Sequence, residues 1–452
     1  MKKIWVCCIC VLSVLLVSVI PIEASEHAYF QDEDVDYNIE YERSAKIKNL
    51  CNSIAFDLYR KLKKEDSEDD IVVSPVSYLS ALGMVYLASD ERGRVGLSVE
   101  YGLSDIQPED FEAFYRQMYR SVDIYRGIIG DDDYAFRFDL INSVWALQPG
   151  IAERFGGVLG WPVDLNLHPL YYQGSTMTAV GRINEWFSQR TGLSKHRIID
   201  ENEISSEVSA ITANSVNLSA VWHSIVYGEK YLSSDLFHGL ISDRNVEMMR
   251  TLGYPADMLV TSFMQYTESE DYQALYMPFR YFQRPLGFGA VFILPKEENG
   301  LAKIEEKLDA SFLEQIMSDL RPFRERFNLD MKLPCFIISG KNFVEEVSAV
   351  QSNDKMFTCK VVSPAYVEIS ETGVKTFNTY QFGMLFGYGP LPELIRQYKT
   401  NEPLSFHATR PFLFCIVLNI DHKQEFYRQE KPGERPRLDT ILFIGRYTGP
   451  KN

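Results

Sequence analysis

The sequence predicts an α+β fold, on three observations. Apolar residues recur at helical spacing through the first half, and short apolar runs bounded by Pro or Gly crowd the second. No internal repeat or low-complexity linker divides the interior. At 452 residues and 46% hydrophobic, the chain can bury a large core. An aromatic content of 13% argues against disorder over most of its length.

The N-terminus reads MKKIWVCCICVLSVLLVSVIPIEAS. Lys2 and Lys3 precede an apolar run from Ile4 to Ile20, then come Pro21 and the small residues Ala24 and Ser25. That is the order of a secretory signal peptide over residues 1–24. The run also reaches the lower length limit of a membrane span, and Pro21 favours cleavage over anchoring. The expectation is a secreted, extracellular, monomeric protein that makes no membrane contact after cleavage.

Residues 25–43 read as an acidic flexible tail, because Glu26 to Glu42 carries acidic residues and no Lys or Arg. Its Tyr37 and Tyr41 suit either sulphation and partner recruitment or plain solvation. The net charge of −16 argues against nucleic acid and anionic lipid as partners. Cys7, Cys8 and Cys10 leave with the signal. Cys51, Cys335, Cys359 and Cys415 are scattered as buried free thiols would be, with room for one bridge at most.

A single domain is expected over residues 44–452. Ile47, Leu50, Cys51, Ile54, Leu58 and Leu62 set the period of an amphipathic helix beginning near Ser44. IVVSPVSYLSALGMVYLAS reads as a short strand passing through Pro75 into a buried helix. AFRFDLINSVWAL is a strand, and TAVGRINEWFSQRTG a helix closed by Gly192. EVSAITANSVNLSAVW and GFGAVFILP are buried strands, LAKIEEKLDASFLEQIMSDL is helical, and FLFCIVLNI and TILFIGRY are the last two strands.

The seven histidines are isolated. There is no HExxH, no CxxC, no acidic calcium loop, no Gly-x-Ser-x-Gly elbow and no phosphate-binding glycine loop. The sequence therefore points away from an enzyme and implies no catalytic residue, no cofactor and no metal site.

Several of these segments, in order and over most of the chain, resemble the serpin family. VVSPVSYLSALGMVYLAS, INSVWAL, RINEWFSQRTG, Asn214 with Trp222, FGAVFILP, FHATRPFLFCI and ILFIGRYTGP carry the likeness. The resemblance implies three β-sheets surrounded by helices and an exposed reactive-centre loop near the C-terminus. It also implies a mechanism. An extracellular serine protease acylates itself on the loop, and the cleaved loop inserts into the central sheet as a new strand. The alternative is a non-inhibitory relative working as a binding, carrier or partner-recognition protein.

On that pattern ETGVKTFNTYQFGML, Glu371 to Leu385, begins the loop. Glu371 and Gly373 match the family hinge; the run of small residues that usually follows is absent. Val374, Thr376, Asn378 and Tyr380 would face inward on insertion. Counting forward from Gly373 puts the scissile bond at Gly387–Tyr388; counting back from FHATRPF puts it at Arg396–Gln397. Ser74, Ser77, Asn214 and Ser363 fall where the family opens its sheet, with Ser363 replacing a usual His. Asn217 heads the sequon Asn-Leu-Ser, a possible glycosylation site inside an expected strand.

Overall fold

Helix α1, Tyr37–Glu65, starts seven residues before the expected Ser44, so the last part of the acidic tail is helical. The buried face runs Glu40, Ser44, Ile47, Cys51 and on to Leu62. Polar residues continue the period upstream of the apolar ones, which is why hydrophobicity alone placed the start too late. Tyr41 is half-buried, with the Lys48 ammonium 5.8 Å from its ring centroid. The computed structural model describes residues 37–65, 68–129, 136–148, 150–156, 165–169, 176–191, 197–222, 231–251, 264–281, 284–322, 329–339, 343–371, 373–376, 404–418 and 438–450. The expected signal segment and the tail up to Asp36 lie outside these.

β1 (Ile71–Val73) leads into α2 (Pro75–Ala88) as expected. The Ser74 Oγ accepts the Ser77 N–H at 3.2 Å, and Pro75 opens the helix where a missing N–H costs nothing. α3 (Glu91–Tyr101) is capped by Asp90 and ended by Gly102 at φ +69°. α4 (Pro108–Ile129), β2 (Phe136–Ala146), α5 (Ile151–Gly156), β3 (Leu165–Pro169) and α6 (Thr176–Thr191) follow. Gly192, the expected stop of α6, lies outside the described residues.

The rest is mainly strands: β4 (Ala210–Val221), β5 (Leu232–His238), β6 (Asp243–Arg250), β7 (Gln265–Glu268), β8 (Tyr272–Tyr281) and β9 (Arg284–Pro295). One expected helix is two, α7 (Leu301–Glu306) and α8 (Ala310–Asp319). Asp309 breaks it, because its carboxylate accepts the Phe312 N–H at 2.8 Å and caps a fresh helix. Then come β10 (Arg321–Pro322), β11 (Leu329–Pro334), β12 (Phe336–Ser339), β13 (Phe343–Val350), β14 (Met356–Ser363), β15 (Tyr366–Ile369), β16 (Gly373–Thr376), β17 (Leu404–His407), β18 (Phe412–Leu418) and β19 (Thr440–Tyr447).

These strands make three sheets. One runs β1-β19-β18-β9-β8-β7-β10, one β17-β11-β6-β5, and the central one β12-β15-β16-β4-β14-β13 with β2 and β3 continuing from β4. The main core lies between the central sheet, the first sheet and helices α1 and α2. A smaller core, with Trp145, Ile183, Phe187, Ile211 and Ala213, fills the space under α6.

One ion cluster is sealed inside. Arg446 of β19 is 1% exposed and pairs with Glu305 of α7 at 3.0 Å. Glu305 also accepts the Tyr59 hydroxyl at 2.5 Å and pairs with Lys63 at 2.6 Å. Removing the acid strands a buried guanidinium, which costs about 3–5 kcal/mol. Glu305→Ala is therefore expected to lower the urea midpoint of native unfolding by that equivalent, whereas Glu298→Ala, on the exposed turn before α7, leaves the midpoint unchanged.

Candidate functional site

Of the segment Glu371 to Leu385, Gly373 to Thr376 lie in the central sheet. β15 and β16 form a tight hairpin. The Gly373 N–H donates to the Ser370 carbonyl at 3.2 Å, and the Ser370 N–H donates back to Gly373 at 3.0 Å. β16 then lies between β15 and β4. Val374 and Lys375 pair with Ile369 and Glu368 on one side, and Gly373 to Thr376 pair antiparallel with Val221 to Leu218 on the other.

Two groups hold this hairpin. A Cβ on Gly373 would fall 2.0 Å from the Ala220 carbonyl oxygen, so only glycine lets the turn lie this close to β4. Trp222, at the end of β4, donates its indole N–H to the Ser370 carbonyl at 2.8 Å while its ring packs on Phe279. Val374 is 1% exposed and joins the main core. Glu371 is half-buried on the turn. Asn378, Tyr380 and both candidate scissile bonds, Gly387–Tyr388 and Arg396–Gln397, lie outside the described residues.

β4 changes partner along its length. Ala210 to Ala213 pair parallel with Cys359 to Val362 of β14, whereas Leu218 to Val221 pair antiparallel with β16. Between these two stretches lie Asn214 to Asn217, and β2 pairs with the other edge from Ala210 to Ala220.

The expected switch residues converge around Asn214, where the pairing with β14 ends. All four are buried. The Ser77 hydroxyl donates to the Asn214 carbonyl at 2.5 Å, and the Ser363 hydroxyl donates to the Ser74 carbonyl at 3.4 Å. A Ser at 363 thus still ties β14 to the start of α2, in place of the family's His. Sequence reading missed Asn142 of β2, whose Oδ1 accepts the Asn214 amide at 2.7 Å. Its only signal was an amide inside the largely apolar strand pattern INSVWAL.

Asn217 is 2% exposed in β4, and its Oδ1 accepts the Ser215 hydroxyl at 3.1 Å, so the folded chain has no room for a glycan there. The four cysteines are free. Burial pushes the thiols of Cys51, Cys359 and Cys415 well above their usual range. Half-buried Cys335 is pushed up to about 12, first by burial and then by the carboxylates of Glu371 and Glu247. These three side chains line a cleft of about 700 Å³ beside the hinge turn, with Phe336, Glu368 and Ser370.

A family model described as serpin (serine protease inhibitor) matches residues 49–429. The chain is 23% identical over 434 residues to Serpin B3 of Homo sapiens, covering 87% of this chain and 97% of that protein. It is 21% identical over 423 residues to Iripin-2 of Ixodes ricinus, covering 90% and 94%. The fold is similar to that of human glycosylated kallistatin, with a TM-score of 0.64 at 16% identity, covering 91% of this chain and 99% of that structure.

Gly373→Ala is expected to expel β16 from the sheet. Hydrogen exchange at the Val374 and Lys375 amides should rise at least tenfold. Gly181→Ala, where a Cβ meets nothing within 4 Å, should leave that exchange unchanged.

Proposed function

The chain belongs to the serpin family, and from that premise we propose that it is a secreted inhibitor of an extracellular serine protease. It acts as a suicide substrate whose cleaved loop inserts into the central sheet. The observation that carries this reading is the hinge itself. β16 pairs antiparallel with Val221 to Leu218 of β4, as the first residues of an inserting strand would, and the same register, continued, would run along Asn217 to Asn214.

The observed register sets out what further insertion requires. Continuing past Thr376, Asn378 would come opposite Val216 and Tyr380 opposite Asn214. Residues directly opposite in an antiparallel pair share a face, and Val374 shows that this face is the main core. Asn378 would bury its amide beside Val216, at about 1–3 kcal/mol if unpaired. Tyr380 would bring a large ring to Asn214, next to the Ser77 hydrogen bond, at about 1–3 kcal/mol of overpacking. Each 1.4 kcal/mol in the barrier slows insertion about tenfold, while hydrolysis of the acyl-enzyme runs at its own rate. The protein inhibits only when insertion is the faster of the two.

The same two residues favour a second reading, in which insertion stops near Thr376 and the protein serves as a binding, carrier or partner-recognition protein. Nicking the loop with a broad-specificity protease, confirming the cut by mass and comparing thermal transitions separates the two. A sharp rise on cleavage is expected for inhibition; an unchanged transition removes it. With a trypsin-like or chymotrypsin-like target in hand, Tyr380→Thr is expected to raise the yield of a covalent complex stable in denaturing gels. A variant as inert as the parent would show that Tyr380 does not limit insertion.

A further inference from the structure

We propose that Glu247, Cys335 and Glu371 form a divalent-metal site, matched best to Zn²⁺, that staples the hinge turn to the neighbouring four-stranded sheet. The three side chains come from separate elements: Glu247 from β6, Cys335 from the residue joining β11 to β12, and Glu371 from the turn between β15 and β16. One ligand atom from each, two carboxylate oxygens and a sulfur, all lie within 4.8 Å of one another. Zn–O and Zn–S distances of about 2.0–2.3 Å place ligands on a shared tetrahedral ion roughly 3.5 Å apart, so small side-chain rotations close the set.

Three further features fit a cation at this point. The Cys335 N–H donates to the Glu247 carbonyl at 2.8 Å, so two of the three ligands sit on backbones already held together. Among the described residues, neither carboxylate has an ion-pair partner, although both face a thiol and one another. The cleft beside them admits the ion and leaves space for a water as fourth ligand.

The ligand chemistry selects the metal. A thiolate with two carboxylates suits Zn²⁺ over Mg²⁺ or Ca²⁺, which take oxygen donors alone. Binding displaces the thiol proton to solvent and offsets the repulsion between the two acids. Because Glu371 sits two residues before Gly373, the ion tethers the hairpin that places β16 in the sheet. Sequence spacing predicted no metal site, since the ligands belong to three distant segments and form no local motif.

The test uses the full uncleaved chain and no protease, so its outcome is independent of whether the loop inhibits. After chelation, Zn²⁺ is titrated by calorimetry and Co²⁺ by absorbance. One-to-one binding and a near-ultraviolet thiolate-to-cobalt charge-transfer band are expected. Cys335→Ser should abolish the band, and Glu371→Gln should weaken Zn²⁺ binding at least tenfold while leaving the metal-free thermal transition unchanged. Zn²⁺ should also slow Val374 amide exchange in the parent but not in Glu371→Gln. The proposal is overturned by absence of stoichiometric binding, by a band that survives Cys335→Ser, or by unaltered affinity in Glu371→Gln.

Discussion

Strand β4 is buried over all but its last residue, and a buried strand must find partners for its backbone on both edges. On one edge β2 provides them from Ala210 to Ala220. On the other, β14 runs parallel to β4 at one end and β16 runs antiparallel at the other. Two strands of opposite direction cannot merge into one ladder, so this edge changes partner between Ala213 and Leu218. The rest of the architecture is arranged around this constraint.

Helix α2 lies against this stretch of β4. Ser77 gives its hydroxyl proton to the carbonyl of Asn214, the first β4 residue beyond the stretch paired with β14. Asn214 passes the connection through its amide to Asn142 on β2. Ser363 fastens β14 to the carbonyl of Ser74, the residue that caps the same helix. Buried hydroxyls and amides are costly when unpaired and inexpensive when paired. A chain of them therefore ties α2, β2, β4 and β14 together at this point.

At the other end the hinge is held by contacts of a different kind. Close approach at Gly373, the Trp222–Ser370 hydrogen bond and burial of Val374 all act within one tight turn. The half-buried Glu371 faces away from this anchoring toward Cys335 and Glu247, which places the turn where the central and four-stranded sheets meet.

The α+β class, the strands running through β4, β9, β18 and β19, and the buried helix α2 were legible because each depends on local apolar period and turn chemistry. Ser74, Ser77, Asn214 and Ser363 were legible through a resemblance, and their hydrogen bonds show what physical work those residues do. The start of α1 and the break at Asp309 were misread where polar residues carried the period or the cap. Asn142 and the convergence of Glu247, Cys335 and Glu371 left no usable mark, because contacts between distant segments have no local pattern. The sequence by itself determined which segments could be strand or helix and that Gly373 precedes a β-prone run. Only the tertiary structure decided that Gly373 to Thr376 lie inside the sheet, because that depends on which edge of β4 those residues meet.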